Sequence, residues 1–240
     1  MKLIKVEDYN EMSQKAAQFI IEKVRQNPSM NLGLATGGTP VGTYQALIED
    51  HQQSGTSYQN ITTFNLDEYI GITGDHPNSY RYFMNDKLFN HIDIDKSNTH
   101  IPQGNVSNMA SECARYENLI ADHGGVDLQI LGIGGNGHIG FNEPGTSFDS
   151  TTHIVQLAVS TIEANARFFE RIEDVPTQAI TMGIASIMRS KEILLLVSGE
   201  NKQAALNQLL NGEITEEFPA SVLKNHSNVT IIADKAALFV

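Results

Sequence analysis

His138 and Glu143 share a run that is otherwise glycine, asparagine and apolar: Leu131-Gly132-Ile133-Gly134-Gly135-Asn136-Gly137-His138-Ile139-Gly140-Phe141-Asn142-Glu143-Pro144. An imidazole titrates near neutrality and can both take and return a proton, so a histidine and a carboxylate in one turn supply the means for acid-base chemistry. The run before them, Val126 to Ile133, is mostly aliphatic, with Asp127 and Gln129 the polar exceptions, and is bounded by Gly124-Gly125 and Gly134-Gly135, which predicts a strand buried in a parallel sheet. The turn therefore falls at the carboxyl edge of that sheet, where open α/β folds bind ligands. Its glycines let the backbone take positive φ and come close to a ligand.

Other residues have the types and places to join that site. Thr36-Gly37-Gly38-Thr39-Pro40 sits between a predicted strand and helix, with Thr39 suited to the N-cap and Pro40 to the first helical turn. Free N–H groups and the positive end of the helix dipole make such a turn an anion site. It lacks the ending of a Walker loop and the glycine spacing of a dinucleotide site, and it also reads as a plain tight turn. Lys202, in Ser198-Gly199-Glu200-Asn201-Lys202, falls just past a strand in the first turn of a predicted helix. A cation there meets the unfavourable end of the dipole, which is easier to understand if it holds an anion; the other reading is a solvated surface charge. Asp67 follows the strand that ends at Leu66, so its carboxylate emerges at the same sheet edge as the His138 turn. Asp67-Glu68 also reads as an acidic surface turn.

Positioning these groups requires strands and helices in alternation. The hydrophobic pattern predicts strands at 3–6, 31–35, 61–66, 99–101, 126–133, 152–157, 179–181, 193–197 and 229–233. Helices are predicted at 9–25, 41–51, 79–90, 110–122, 161–171, 184–188 and 203–210. Right-handed βαβ crossovers then give an α/β fold, a mostly parallel Rossmann-like sheet in a three-layer α/β/α arrangement. No linker, repeat or low-complexity tract divides the 240 residues, so one domain over 1–240 is expected.

A formal net charge of −12 argues against nucleic acid, whose binding needs clustered Lys and Arg. It would repel a phosphate ester, but beyond about 10 Å that field is largely screened, so a few cationic groups close by suffice. The N-terminal apolar run is too short for a signal peptide and no stretch is long enough to span a bilayer, which predicts a cytoplasmic protein. The single Cys113 allows no internal disulfide and reads as a quiet half-buried thiol. The eight histidines are scattered without ligand spacing, so no metal and no cofactor are expected.

Gly137-His138-Ile139-Gly140-Phe141-Asn142-Glu143-Pro144 resembles the signature of the glucosamine-6-phosphate deaminases. Leu34-Ala35-Thr36-Gly37-Gly38-Thr39-Pro40 and Thr63-Phe64-Asn65-Leu66-Asp67-Glu68-Tyr69 match further motifs of that family, in its order, over a chain that resembles it from end to end. The resemblance implies the fold shared with phosphogluconolactonases and ribose-5-phosphate isomerases. It implies conversion of D-glucosamine 6-phosphate and water to D-fructose 6-phosphate and ammonia, in amino-sugar catabolism. It implies Asp67 as the base at C2, with a pKa raised by desolvation, His138 as the ring-opening acid-base, and Glu143 as its orienting partner. By the same correspondence Thr36, Gly37, Gly38, Thr39, Arg167 and Lys202 bind the substrate phosphate, and a segment at about 153–183 is expected to close as a lid.

The chain departs from part of the family at Asn136, where many relatives carry aspartate; Asn136 is kept in the ring-opening site as a hydrogen-bonding residue. Allosterically activated hexameric relatives carry basic residues just past Asn-Glu-Pro and a longer tail. Here Thr151-Thr152-His153-Ile154-Val155-Gln156 has no Lys or Arg. A non-allosteric monomer or small homo-oligomer is therefore expected, with a small phosphosugar as partner and neither nucleic acid nor membrane. The alternatives are a 6-phosphogluconolactonase-like hydrolase and a phosphosugar-sensing module without catalysis; Phe141-Asn142-Glu143-Pro144 and Asp67-Glu68-Tyr69 weigh against the first, the acidic charge against the second.

Overall fold

A computed structural model describes residues 1–157, 162, 169 and 171–238. Seven strands form one parallel sheet: β1 (Lys2–Val6), β2 (Asn31–Leu34), β3 (Thr62–Asn65), β5 (Thr99–His100), β6 (Leu128–Leu131), β9 (Glu192–Val197) and β10 (Val229–Asp234). Their order is β1-β10-β9-β6-β2-β3-β5. Apart from Gln129, Thr230 and the terminal Glu192 and Asp234, β6, β9 and β10 are apolar along their length because both faces of the sheet are covered. Odd and even residues alternate between those faces. Leu32, Leu34, Leu128, Ile130, Leu194 and Leu196 pack on one side, against α1 (Tyr9–Gln26) and α2 (Val41–Ser54). Leu131, Ile193, Leu195 and Ile231 pack on the other, against α4 (Met109–Asp122), α5 (Ile184–Met188) and α6 (Gln203–Asn211). The expected three-layer α/β/α architecture is what forms.

Local signals set the helix ends. Asp8 accepts the Glu11 N–H at 2.9 Å while the Glu11 carboxylate reaches back to the Glu7 N–H, and α1 then buries Met12, Ala16, Ile20 and Val24 at helical spacing. The predicted helix over 79–90 is two pieces, α3 (Tyr80–Met84) and a π-helical turn over Asn85–Phe89.

The chain also builds something the pattern of alternation does not contain. At Leu66 it leaves the main sheet: the Leu66 N–H still donates to Leu34 O, but the Leu66 carbonyl accepts from Met182. The next residues form β4 (Asp67–Tyr69), antiparallel to β8 (Gln178–Thr181), which pairs in turn with β7 (His153–Gln156). The segments predicted at 152–157 and 179–181 thus belong to a second, antiparallel sheet. Most of the predicted helix over 161–171, Arg167 included, falls outside the described residues, as does the part of the expected lid at 158–161, 163–168 and 170. Among the described residues no helix is long and apolar enough to cross a membrane.

Candidate active site

Strands β9, β6, β2 and β3 are neighbours in the sheet, and the turns that follow them open at one carboxyl edge. They surround a cavity of about 510 Å³ lined by Thr36, Gly37, Thr39, Asp67, Asn136, His138 and Lys202. Residues scattered over more than 160 positions of sequence therefore face one space. A larger groove, about 650 Å³, runs along the outer faces of α1 and α2 and gathers none of these turns.

The His138 turn is tightly determined. A side chain at Gly134 would strike the His138 ring, its Cβ standing 2.3 Å from Cε1 and Nδ1. Gly137 has φ of 86° and lies against Phe218, and its carbonyl accepts the Ala220 N–H at 2.8 Å. On the other flank the Phe141 N–H donates to Thr181 Oγ1, and the buried Asn142 amide donates to Ile139 O and Met182 O. The turn is thus fastened on one flank to the 218–220 segment and on the other to the end of β8. His138 Nδ1 faces Glu143 Oε1 at 3.6 Å, which leaves Nε2 as the nitrogen for a ligand.

Asn136 joins the two. Its Nδ2 donates to Glu143 Oε2 at 2.6 Å and its Oδ1 accepts the His138 N–H at 3.2 Å. An asparagine fits here because the position needs a donor toward one neighbour and an acceptor toward the other. An aspartate would set two carboxylates against each other unless one took up a proton.

Asp67 is 7% exposed and Glu68 4%, so neither belongs to an acidic surface turn. Burial first, and then the Glu68 charge, raise the Asp67 pKa to about 8, the direction expected from the sequence. Gly140 is close by: a Cβ there would stand 3.5 Å from Asp67 Oδ2. Lys202 lies in a 3-10 turn, Glu200–Lys202, that leads into α6, and burial lowers its pKa. The expected N-cap at Thr39 is not formed: α2 begins at Val41 with Pro40 in the cap position and no side-chain cap. Thr39 lines the cavity instead. Gly38 completes the turn. Among the described residues no three His, Cys, Asp or Glu side chains gather as a metal site.

Residues 7–232 match the model of a family described as glucosamine-6-phosphate isomerases and 6-phosphogluconolactonase. A glucosamine-6-phosphate deaminase of Geobacillus sp. (strain WCH70) is 60% identical over 99% of this chain and 95% of its own length. Glucosamine-6-phosphate deaminase 1 of Bacillus subtilis (strain 168) is 53% identical over 99% and 98%. This chain belongs to the glucosamine-6-phosphate deaminase family. A solved structure of a monomeric glucosamine-6-phosphate deaminase of the NagB superfamily superposes with a TM-score of 0.97 at 53% identity, covering 99% of this chain and 98% of that one. The 6-phosphogluconolactonase of Thermotoga maritima shares the fold, with a TM-score of 0.76 at 22% identity over 98% and 99% of the two chains.

Three residues that serve this deaminase-family site carry no sequence signal. The Tyr9 hydroxyl, from the start of α1, donates to Gly38 O at 3.1 Å and accepts the Gly42 N–H at 2.8 Å. It thereby satisfies an orphan helix donor that Thr39 was expected to serve. Asp234, at the end of β10, accepts from Ser198 Oγ and the Gly199 N–H and so holds the turn that carries Lys202. Tyr80, on α3, lines the cavity. All three act across long stretches of chain, and only the folded arrangement pairs them with their loops. Tyr9→Phe removes both bonds to the 36–42 turn. Its KM for a sugar phosphate is expected to rise about three- to tenfold with kcat little changed, as measured by initial rates.

Proposed function

We propose that this chain converts D-glucosamine 6-phosphate and water to D-fructose 6-phosphate and ammonia. The observation that carries the reading is the shared cavity: a carboxyl of raised pKa, a histidine backed by Glu143 and a half-buried lysine face one space sized for a sugar phosphate. The phosphate is held by the turn at Thr36, Gly37, Gly38 and Thr39 and by Lys202, with Arg167 assigned to it by motif. His138 takes the anomeric hydroxyl proton and delivers one to the ring oxygen, opening the pyranose to the aldehyde. Glu143 orients the imidazole and offsets its transient positive charge, and Asn136 holds Glu143 in place.

Asp67 then removes the C2 proton while the substrate ammonium passes a proton to O1, giving an enolamine. The proton on Asp67 returns to C1, which leaves an iminium at C2. Water adds there and ammonia departs, leaving the ketone. A carboxylate of ordinary pKa is a weak base for this task, and burial brings Asp67 into the useful range. The chain is read as a cytoplasmic monomer or small homo-oligomer without allosteric activation; the similarity to a monomeric deaminase supports the small assembly, and the 151–156 segment without Lys or Arg supports the lack of an effector site.

The test incubates the purified protein, without added metal or nucleotide, with D-glucosamine 6-phosphate. Equal amounts of ammonia and D-fructose 6-phosphate are expected. Binding without turnover would replace the reading by a sensor, and hydrolysis of 6-phosphogluconolactone alone by a lactonase.

A further inference from the structure

Glu68 is a buried carboxylate that the chemistry above does not use. It follows Asp67 on β4, and successive side chains of a strand point to opposite faces, so it faces away from the cavity. Its Oε1 accepts the N–H groups of Tyr69 at 2.9 Å and Tyr80 at 2.8 Å, and its Oε2 accepts that of Arg81 at 3.0 Å. Tyr80 and Arg81 open α3, a helix that Ser79 already caps by accepting the Tyr82 N–H at 3.0 Å. Ser79 leaves the N–H groups of Tyr80 and Arg81 to Glu68; a neutral acceptor would satisfy them as well, whereas burial of a charged group is costly.

The helix it holds carries a wall of the cavity. The Tyr80 ring lies parallel to that of Phe141, with 6.1 Å between centroids and 10° between planes, and its centroid is 4.9 Å from that of Tyr69. Phe141 belongs to the His138 turn. One carboxylate thus connects the strand of Asp67 to the helix of Tyr80 and, through stacked rings, to the turn of His138.

We propose that Glu68 is a positioning residue for the reaction: it draws the first turn of α3 against β4, sets the Tyr80 ring beside Phe141 as a wall of the sugar cavity, and places a fixed negative charge behind Asp67. The proposal rests on the reading of Asp67 as the C2 base. Titratable or charged groups around Asp67 are Glu68 and Tyr69 on β4, Tyr80 and Arg81 on α3, Tyr116 on α4, His138 on its turn and Lys202 across the cavity. Burial raises both carboxyls, and at Asp67 the Glu68 charge adds to the rise; three N–H donors and the Arg81 guanidinium offset only part of the rise at Glu68. The Glu68 charge opposes ionisation of Asp67.

Glu68→Gln keeps the size and removes the charge, and it turns an amide donor toward the Arg81 N–H. The acid limb of kcat/KM is expected to move down by about one pH unit, because Asp67 ionises more easily without its neighbour. KM is expected to rise about threefold or more as the Tyr80 wall loosens. Glu68→Asp keeps the charge on a shorter arm, so its acid limb should stay in place while its KM rises; this variant decides the matter if the glutamine form does not fold. An unmoved limb in folded Glu68→Gln, or equal shifts in both variants, overturns the proposal. Asp67→Asn run in parallel separates the two questions: full turnover in that variant defeats the reading of Asp67 itself.

Discussion

Asp67→Asn is expected to reduce turnover about a thousandfold and yet to make the protein harder to unfold. The loss follows from removing the proposed base, since a positioned general base contributes about 10²–10⁴-fold. The gain follows from linkage. Folding raises the Asp67 pKa from 3.8 to about 8, with burial as the main cause and the Glu68 charge as the second. The folded state therefore prefers the neutral carboxyl. Stability from this group is fully present below its unfolded pKa and is lost as pH rises toward 8, so above that pH the ionised group costs the fold the most. An amide keeps the shape and never charges. On these pKa values the variant gains on the order of a few kcal/mol at pH 8.5 and nothing near pH 3. Calorimetry at the two pH values, beside ammonia release, reads both effects. A lower melting temperature at pH 8.5 would show that the buried carboxylate is not a cost to the fold. As the proposed base, the same group is expected to set the pH dependence of the unmodified protein: kcat/KM should climb as Asp67 ionises and level off above about pH 8.

His138→Gln is expected to lower kcat/KM about 10²- to 10³-fold on the ring-closed sugar, for a different reason. Glutamine cannot shuttle a proton between the anomeric hydroxyl and the ring oxygen, although it can still fill space over Gly134. Glucosamine 6-phosphate opens slowly in water without help, and that open fraction should supply the residual turnover. An acyclic amino-alditol 6-phosphate has no ring to open. Its affinity should change by no more than about threefold, because the phosphate turn, Lys202 and Asp67 are untouched. A parallel loss of affinity for the acyclic ligand would mean that the imidazole binds the substrate and does not open its ring. Glu143, whose oxygen lies 3.6 Å from Nδ1, is proposed to act in the same step by favouring the tautomer that leaves Nε2 to the substrate.

The two variants probe parts of the site that differ in how openly they stand in the chain. The His138 turn is legible because glycines flank an apolar strand, and the reason for each is local: Gly134 lies under the imidazole and Gly137 takes positive φ. The turn at 36–40 is legible by the same logic, although its cap comes from Tyr9 and not from Thr39. Asp67 can be placed at the sheet edge because it follows a strand. Its neighbour could not be read, since an acidic pair after a strand looks the same whether it meets water or three backbone amides. What buries Glu68 is the departure of the chain from the main sheet at Leu66 and its pairing with β8, more than a hundred residues later. No periodicity within either segment announces that contact.

The sequence by itself determined the alternation of strands and helices, the parallel sheet with covered faces, and the turns where chemistry would be found. Those follow from side-chain period, turn residues and capping groups, which act over a few residues. The tertiary structure alone decided which turns share a cavity, that the Asp67 pKa is raised to about 8, and that Tyr9, Glu68, Tyr80 and Asp234 meet the turns and elements around that cavity. Strand order, burial and charge proximity act between residues distant in the chain, and they exist only once the chain has packed.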